Sequence, residues 1–203
     1  MLKVWGRNTS SNVQKVMWVI GELGLEHERF DVGGTFGKNR EPAYLNMNPN
    51  GLVPTLQDGD VTIFESGAIV QYVLAKYGNG RLVPDVSSPE FPTYLQWLHY
   101  AEGMIMSPVN TIVVETILLK PERRNQANVD RAVKLLSQML TAVDSGLQGR
   151  EFLAGDFSGA DIMTGHACVV ATRLGADISD KPNVAAYVER LQARPALQRA
   201  WDA

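Results

Sequence analysis

Apolar residues at the start of the chain alternate between strand-like runs and a helix-like stripe. Leu2–Trp5 is a short apolar strand that ends at Gly6, and Glu28–Val32 is predicted as a second strand. Between these runs, apolar residues recur at helical spacing from Val13 to Gly24, which indicates one buried helix face. A strand, a helix and a strand within about 30 residues predict a βαβ unit with two parallel strands.

The next part of the chain predicts a hairpin and a closing helix. After a loose connection rich in Gly and Asn, two strands, Val53–Leu56 and Val61–Phe64, flank a tight-turn sequence at 58–60. A helix follows over 65–77, with its apolar residues on one stripe. One sheet with parallel strands and a hairpin, flanked by helices, predicts a thioredoxin-like α/β domain over residues 1–79.

The remainder of the chain has a different pattern. Residues 80–88 have the Gly, Pro and Ser content of a linker, and residues 89–203 carry helical periodicity throughout. A long helix is predicted over about 90–119, with a bend near Ser107-Pro108 because proline removes a backbone donor. Further helices are predicted around 129–143, after 158–161, and over 184–191 and 196–201. The sequence therefore predicts an all-helical second domain.

The composition narrows the range of partners. Hydrophobic residues make up 45% of the chain and charged residues 20%, as in ordinary globular proteins, and the net charge is −3. This charge does not favour nucleic acid or an anionic membrane as a partner. The N-terminus lacks the layout of a secretory signal, and no apolar run reaches the roughly 20 residues that cross a bilayer. We expect a cytoplasmic protein without nucleic-acid or membrane partners.

Several other sites are not expected. The three histidines, His27, His99 and His166, show no metal-ligand spacing, so no metal is predicted. The Gly-rich segment 33–37 lacks the Lys-Ser/Thr of a phosphate-binding loop. Cys168 is the single cysteine, which makes an internal disulfide impossible, and its apolar neighbours predict an inert core thiol.

Several short motifs resemble the glutathione S-transferase family. Asn48–Pro54, Asp58-Gly59 and Phe64–Ile69 resemble the conserved core of its first domain, and Ser158–Asp161 resembles the N-capping box of its helical domain. Gly6–Val16 is similar to bacterial members with a serine-type first helix, theta-like or nu-like. The resemblance covers nearly the whole chain in the expected order. It implies a homodimeric detoxification enzyme that conjugates the glutathione thiolate to hydrophobic electrophiles.

The resemblance also implies how glutathione is held. In the family, the residue before a cis-proline, here Val53 before Pro54, pairs its N–H and C=O with the cysteinyl unit, as an edge strand does. Glu65 would bind the γ-glutamyl ammonium. Ser66 would bind the neighbouring carboxylate with its hydroxyl and N–H, assisted by the helix dipole.

The glycyl carboxylate needs a cation or an amide donor. Lys38, Asn39 and Arg40 lie in the loop where the family places such a group. The sequence does not choose among the three.

The thiol of glutathione must be ionised to react. Lowering a pKa of about 8.5 by about 2 units requires roughly 2.7 kcal/mol, which a hydroxyl hydrogen bond and a helix N-terminus can supply. Ser10 is the first candidate, because it lies at the family's spacing from the basic residue Lys15. Asn12 is the second candidate, since some bacterial relatives use a Thr-x-Asn arrangement. Ser11 and Thr9 remain open.

The electrophile would bind in a hydrophobic pocket between the two domains. The pocket candidates are Trp5, Phe36, Tyr100, Met104, Met106 and Pro108. The sequence does not identify the electrophile. Two alternatives remain: a glutathione-dependent reductase of disulfides or peroxides, and a non-catalytic binding module on the same fold. No cysteine lies near Ser10, which argues against members that form a mixed disulfide with glutathione.

Overall fold

The computed structural model describes residues 1–202, which form two compact units. The first unit contains Met1–Val83 and the segment from Ala193 onward, and the second contains Pro84–Gln192. The first unit carries all four strands of the sheet, and the second is mainly helical. This architecture confirms the predicted α/β part and the predicted helical part.

The sheet of the first unit is mixed. Its strands are β1 (Leu2–Trp5), β2 (His27–Phe30), β3 (Thr55–Asp58) and β4 (Val61–Phe64), in the order β2-β1-β3-β4. β1 pairs with β2 in parallel, whereas the β1–β3 and β3–β4 pairs are antiparallel. The predicted parallel βαβ unit and the predicted hairpin are both confirmed.

The strand limits differ from the predictions at one important place. β3 begins at Thr55, whereas the sequence predicted a strand from Val53. Pro54 has no N–H to donate to a neighbouring strand, so ladder pairing begins only after it. The turn between β3 and β4 is the expected tight one, and Gly59 adopts a left-handed φ of 61° in it.

Three helices accompany the sheet before the chain leaves the first unit: α1 (Ser11–Leu23), α2 (Pro42–Leu45) and α3 (Ser66–Tyr77). α1 and α3 bury their apolar stripes against each other and against the sheet. The core residues on these surfaces include Val4, Val16, Ile20, Leu56, Ile69 and Val73. α1 follows β1 after the short segment 6–10, and α3 begins two residues after the end of β4, which places both helix starts near strand ends.

The second unit contains five α-helices interrupted by three short π-helical segments. The α-helices are α4 (Phe91–Tyr100), α5 (Met106–Val113), α6 (Gln126–Gly146), α7 (His166–Arg173) and α8 (Pro182–Gln192). The π-helical segments are Ala101–Ile105, Val114–Leu118 and Asp161–Gly165. Trp97 of α4 is buried, and Thr164 donates a hydrogen bond of 2.5 Å to its carbonyl oxygen.

The predicted bend near Ser107-Pro108 appears as a π-helical segment one turn earlier. Ala101–Ile105 is π-helical, and Pro108 lies within the first turn of α5. A proline in a helix crowds the carbonyl four residues before it, here that of Met104, and offers it no N–H. The irregular turn therefore precedes the proline rather than following it.

The final helix, α9 (Pro195–Asp202), belongs to the first unit. Arg194 binds both carboxylate oxygens of Glu22, with distances of 2.7 and 2.9 Å. A Cβ at Gly21 of α1 would lie only 3.4 Å from that of Ala196, so the absence of a side chain lets α9 approach α1. The predicted domains, 1–79 and 89–203 with a linker at 80–88, differ from this division, because apolar periodicity does not reveal which unit a terminal helix packs on.

A buried carboxylate organises the start of the helical segment before α7. Asp161 accepts hydrogen bonds from the N–H groups of Ser158 (2.8 Å) and Leu153 (3.0 Å), and from the hydroxyls of Ser158 (3.1 Å) and Tyr187 (2.7 Å). The sequence suggested a reciprocal capping box, but only the bond from Ser158 N–H to Asp161 matches it. Burial raises the pKa of Asp161, although the four hydrogen bonds act in the opposite direction.

Candidate glutathione site

Three segments of the first unit meet at one edge of the sheet. Gly6 follows β1, and a Cβ at this position would collide with Val13 of α1 and lie 3.2 Å from the Cβ of Val53. Thr55 pairs with Phe64 across the hairpin, so the start of α3 lies beside the segment that precedes β3. The starts of α1 and α3 and the peptide before β3 are therefore neighbours.

Val53 presents a free backbone at this edge. The Val53–Pro54 peptide bond is cis. Within residues 1–202, neither the N–H nor the C=O of Val53 forms a backbone hydrogen bond. Buried backbone groups are normally paired, and an extended ligand can pair with such a donor and acceptor.

Side chains that the sequence did not indicate hold this segment in place. The Tyr44 hydroxyl donates a 2.6 Å hydrogen bond to the carbonyl of Leu52 and lies 2.9 Å from the Thr55 hydroxyl. The Asn48 amide donates to the same carbonyl at 2.9 Å. Burial raises the pKa of Tyr44, which keeps it a neutral donor. Asn48 belongs to a recognised motif, whereas Tyr44 carried only the signal of an apolar position in α2.

Glu65 and Ser66 begin α3 at the same edge. Glu65 has a φ of 74°, which is unusual for a residue with a side chain, and its carbonyl accepts the N–H of Ile69 at 2.9 Å. Its side chain is exposed and forms no capping bond. Ser66 is buried at the first helical position, where backbone N–H groups lack intrahelical partners. Strained backbone of this kind often accompanies ligand sites, and here it occurs at the residue that precedes α3.

Ser10 occupies the N-cap position of α1 without capping the helix. Its backbone is extended, with φ −86° and ψ 120°, and its carbonyl accepts the N–H of Gln14 at 3.0 Å. Its hydroxyl forms no capping hydrogen bond. The Gln14 side chain instead stabilises the preceding loop by donating to the carbonyl of Asn8 at 2.7 Å. The half-buried Ser10 hydroxyl is thus available at the positive end of a 13-residue helix.

The other candidates for thiol activation are placed differently. The side-chain amide oxygen of Asn12 accepts a 3.1 Å hydrogen bond from the ammonium of Lys15, which is fully buried. Asn12 therefore has a structural partner, whereas Ser10 has no such bond. Ser11 is the first residue of α1, and Thr9 is exposed in the loop.

The loop candidates for the glycyl carboxylate divide into anchored and exposed side chains. Asn39 donates to the carbonyl of Gly51 at 2.9 Å, and Arg40 donates to the carbonyl of Asn50 at 3.2 Å. Both therefore lie against the segment that leads into Val53. Lys38 is exposed, with a φ of 64°.

The pocket candidates of the first unit lie on the sheet and in the loop after β2. The ring of Trp5 stacks on Phe30 with centroids 4.3 Å apart, and its indole N–H donates to Gln57 at 3.2 Å. Its neighbour Val4 points to the buried core, so Trp5 lies on the opposite face of the sheet. Phe36 is 48% exposed.

The pocket candidates of the second unit also differ in their surroundings. Tyr100 donates to the carbonyl of Met139 at 3.2 Å and packs edge-on against Trp97, so it stabilises the helical unit. Met104 is 41% exposed, whereas Met106 is buried. Pro108 lines a groove of about 400 Å³ between α5 and α6.

The remaining chemistry-bearing groups do not form a second centre. Cys168 is fully buried, and burial raises its pKa to about 12, so it stays a neutral thiol. Among the described residues, no cluster of His, Cys, Asp and Glu could hold a metal ion. No described helix has the length and apolar content that crossing a membrane requires.

Comparison with known proteins identifies the family of this chain. The family descriptions "Glutathione S-transferase, N-terminal domain" and "Glutathione S-transferase, C-terminal domain" match residues 1–75 and 106–195. Glutathione S-transferase GstB of Escherichia coli K12 is 33% identical over 202 residues, covering 98% of this chain and 97% of its own. Glutathione S-transferase 4 of Zea mays is 35% identical, covering 98% of this chain and 91% of its own.

A solved structure resembles the whole chain. The theta class glutathione S-transferase of Xanthomonas axonopodis pv. citri, crystallised with glutathione bound, has a TM-score of 0.91 and 32% identity. The match covers 100% of this chain and 97% of the other. The order of motifs, the fold and these full-length similarities agree, and the chain belongs to the glutathione S-transferase family.

Proposed function

We propose that this glutathione transferase binds glutathione along the edge formed by Val53 and the start of α3. The unpaired N–H and C=O of Val53 would receive the cysteinyl unit. Glu65 would bind the γ-glutamyl ammonium, and Ser66 with the first N–H groups of α3 would bind its carboxylate. The observation that carries this proposal is the free backbone of Val53 near Glu65, whose backbone is strained at the start of α3.

Ser10 is the group that we assign to thiolate stabilisation. Its hydroxyl is not used for capping, and the first turn of α1 contributes positive potential. Asn12 is the weaker candidate, because its side-chain amide oxygen already accepts a hydrogen bond from Lys15. The thiolate would attack a soft carbon of the electrophile, forming a carbon–sulfur bond while the leaving group departs with its electron pair.

For the glycyl carboxylate we favour Arg40. A guanidinium has five N–H donors, and the contact with Asn50 uses one of its nitrogens. This contact holds Arg40 close to the segment that precedes Val53. Arg40→Gln should weaken glutathione binding more than Lys38→Gln does. A larger loss in Lys38→Gln, measured by isothermal titration, would move the assignment to Lys38, and equal losses would remove the preference for Arg40.

Retention on immobilised glutathione tests the site. Wild type should bind, and Glu65→Ala and Ser66→Ala should each lose retention while their thermal melts stay close to that of wild type. Retention of both variants at the wild-type level would overturn the binding site. Assays with a haloarene, an organic peroxide and a glutathionylated disulfide then separate a transferase from a reductase.

The identity of the electrophile class and the assembly state are part of the same proposal. Within the first unit, the exposed side chain of Phe36 is the pocket candidate that best suits an apolar electrophile in a detoxification reaction. The family resemblance supports a cytoplasmic homodimer, and glutathione is held reduced in such compartments. Light scattering at micromolar concentration should give twice the chain mass of 22.3 kDa, and a monomeric mass would contradict the dimer.

A further inference from the structure

Arg7 lies at the end of β1, next to the proposed glutathione site. Its N–H donates to the carbonyl of Val32 at 3.1 Å, and its carbonyl accepts the N–H of Ser10 at 3.2 Å. The backbone of Arg7 is therefore held between the end of β2 and the start of α1. Its side chain had no role in the sequence-based site.

Two glycines make room for the Arg7 side chain. A Cβ at Gly34 would lie 2.8 Å from Cδ and 3.0 Å from Nε of Arg7. A Cβ at Gly33 would lie 3.1 Å from Nη1 of Arg7 and 3.5 Å from Cγ1 of Val53. Both glycines have a positive φ, 84° at Gly33 and 59° at Gly34, which a residue with a side chain rarely adopts. The guanidinium therefore rests on a flat glycine surface beside Val53.

The guanidinium has no protein acceptor in the described part of the chain. Nearby Arg29, in contrast, binds Asp31 at 2.5 Å and the carbonyl of Gly6 at 3.0 Å. Arg7 is half-buried, yet the N–H donors of its guanidinium remain available to a ligand. A planar guanidinium whose side chain packs against Gly33 and Gly34 is well suited to bind a carboxylate through two parallel hydrogen bonds.

We propose that Arg7 is a carboxylate-binding residue of this site, which binds a carboxylate either of glutathione, in addition to the donors assigned above, or of an anionic electrophile. The proposal rests on the proposed glutathione site, because it needs the ligand to lie beside Val53. In the second case Arg7 determines specificity, favouring electrophiles that carry a carboxylate close to the reacting carbon.

Arg7→Gln, compared with wild type, tests both sources with one matched pair of electrophiles. Iodoacetate and iodoacetamide react identically with the thiolate: a carbon–sulfur bond forms, and iodide leaves with the electron pair of the carbon–iodine bond. They differ in the charge of one group. The dissociation constant of glutathione and kcat/KM for both electrophiles are measured on the full chain.

Two outcomes support the proposal. If glutathione supplies the carboxylate, Arg7→Gln raises its dissociation constant about 10- to 100-fold and lowers kcat/KM for both electrophiles equally. If the electrophile supplies it, the kcat/KM ratio of iodoacetate to iodoacetamide falls about 10- to 100-fold and glutathione affinity stays the same. Arg7→Lys, which keeps the charge but not the planar fork, should show a smaller change of the same kind.

Controls separate this proposal from the proposed function. Arg81 donates to the carbonyl of Glu22 near the C-terminal end of α1, away from the site, and Arg81→Gln should change neither quantity. If wild type binds glutathione and conjugates iodoacetamide while Arg7→Gln and Arg7→Lys leave affinity and ratio within twofold, the Arg7 proposal alone is overturned. If wild type neither binds nor conjugates, the proposed function fails, and the role of Arg7 fails with it.

Discussion

Serine begins a helical segment in each of the two units, and the two serines are used in opposite ways. Ser158 precedes the π-helical segment before α7, where it is buried and its N–H and hydroxyl both bind Asp161. Ser10 precedes α1, is half-buried, and makes no capping bond. In the second unit, the Ser158 hydroxyl therefore stabilises the fold. In the first unit, the Ser10 hydroxyl remains available to a ligand.

The difference shows that a capping sequence does not reveal its purpose. At the Ser158 end, four donors converge on one buried carboxylate, so every group is paired within the unit. At the Ser10 end, the neighbouring donor and acceptor of Val53 are unpaired as well. Unpaired polar groups that cluster at one edge indicate a ligand, whereas a closed network indicates stability.

The largest expected effect is the loss of stability in Asp161→Ala. The variant would leave the N–H groups of Leu153 and Ser158 and the hydroxyl of Tyr187 buried without their acceptor. Each such group costs about 1–3 kcal/mol, so we expect a loss of about 3 kcal/mol or more in the free energy of unfolding, measured by urea titration.

The control for this variant is Asp177→Ala. Asp177 is exposed and accepts a 2.9 Å bond from the N–H of Ser179, so its removal should shift the unfolding midpoint far less. The folded fraction of Asp161→Ala should retain wild-type specific activity. Reduced turnover in fully folded Asp161→Ala would show that Asp161 has a functional role, which would contradict the contrast between the Ser158 and Ser10 ends.

The second expected effect concerns turnover in Ser10→Ala. Loss of a hydrogen bond to the thiolate, about 1.5–3 kcal/mol, should lower kcat at neutral pH about 10- to 100-fold. The pKa of bound glutathione should rise, so activity is lost at low pH and recovers as pH approaches the free-thiol pKa of about 8.5. Glutathione affinity should change little, because Val53, Glu65 and Ser66 remain.

A pH–rate profile of Ser10→Ala with the wild-type shape at lower amplitude would remove Ser10 from this role. Stability gives an independent check. Because the Ser10 hydroxyl caps nothing, the free energy of unfolding should stay within about 0.5 kcal/mol of wild type. A loss as large as that of a true N-cap, about 1 kcal/mol, would mean that the hydroxyl serves the fold.

Sequence alone predicted most of the fold and supplied candidate residues for the site. Apolar spacing gave the βαβ unit, the hairpin and the helical remainder, because these elements bury one face each. It could not assign α9, since the ion pair of Glu22 with Arg194 joins residues far apart in sequence. Motifs suggested candidate residues for binding glutathione. They gave no role to the side chains of Tyr44 and Arg7, whose surroundings depend on packing within the folded unit.

A third, smaller effect is expected in Asn12→Ala. The Asn12 side chain accepts from the buried ammonium of Lys15, so its removal should cost about 1–2 kcal/mol in the free energy of unfolding. Its pH–rate profile should keep the wild-type midpoint. Thermal melts and initial rates over a range of pH measure both. A shifted midpoint in Asn12→Ala and an unshifted one in Ser10→Ala would transfer thiolate stabilisation to Asn12.

The smallest effect is expected in Ser158→Ala, the counterpart of Ser10→Ala in the second unit. The substitution removes the 3.1 Å hydroxyl bond to Asp161 but keeps the 2.8 Å bond from the N–H of residue 158. Because the carboxylate retains three donors, we expect a loss of about 0.5–1.5 kcal/mol in the free energy of unfolding, with unchanged kcat and an unchanged pH–rate profile. The two serine variants should thus have opposite effects: Ser158→Ala should lose stability, and Ser10→Ala should lose turnover. Equal losses of turnover in both variants would show that the hydroxyls are not divided between fold and function as the hydrogen bonds indicate.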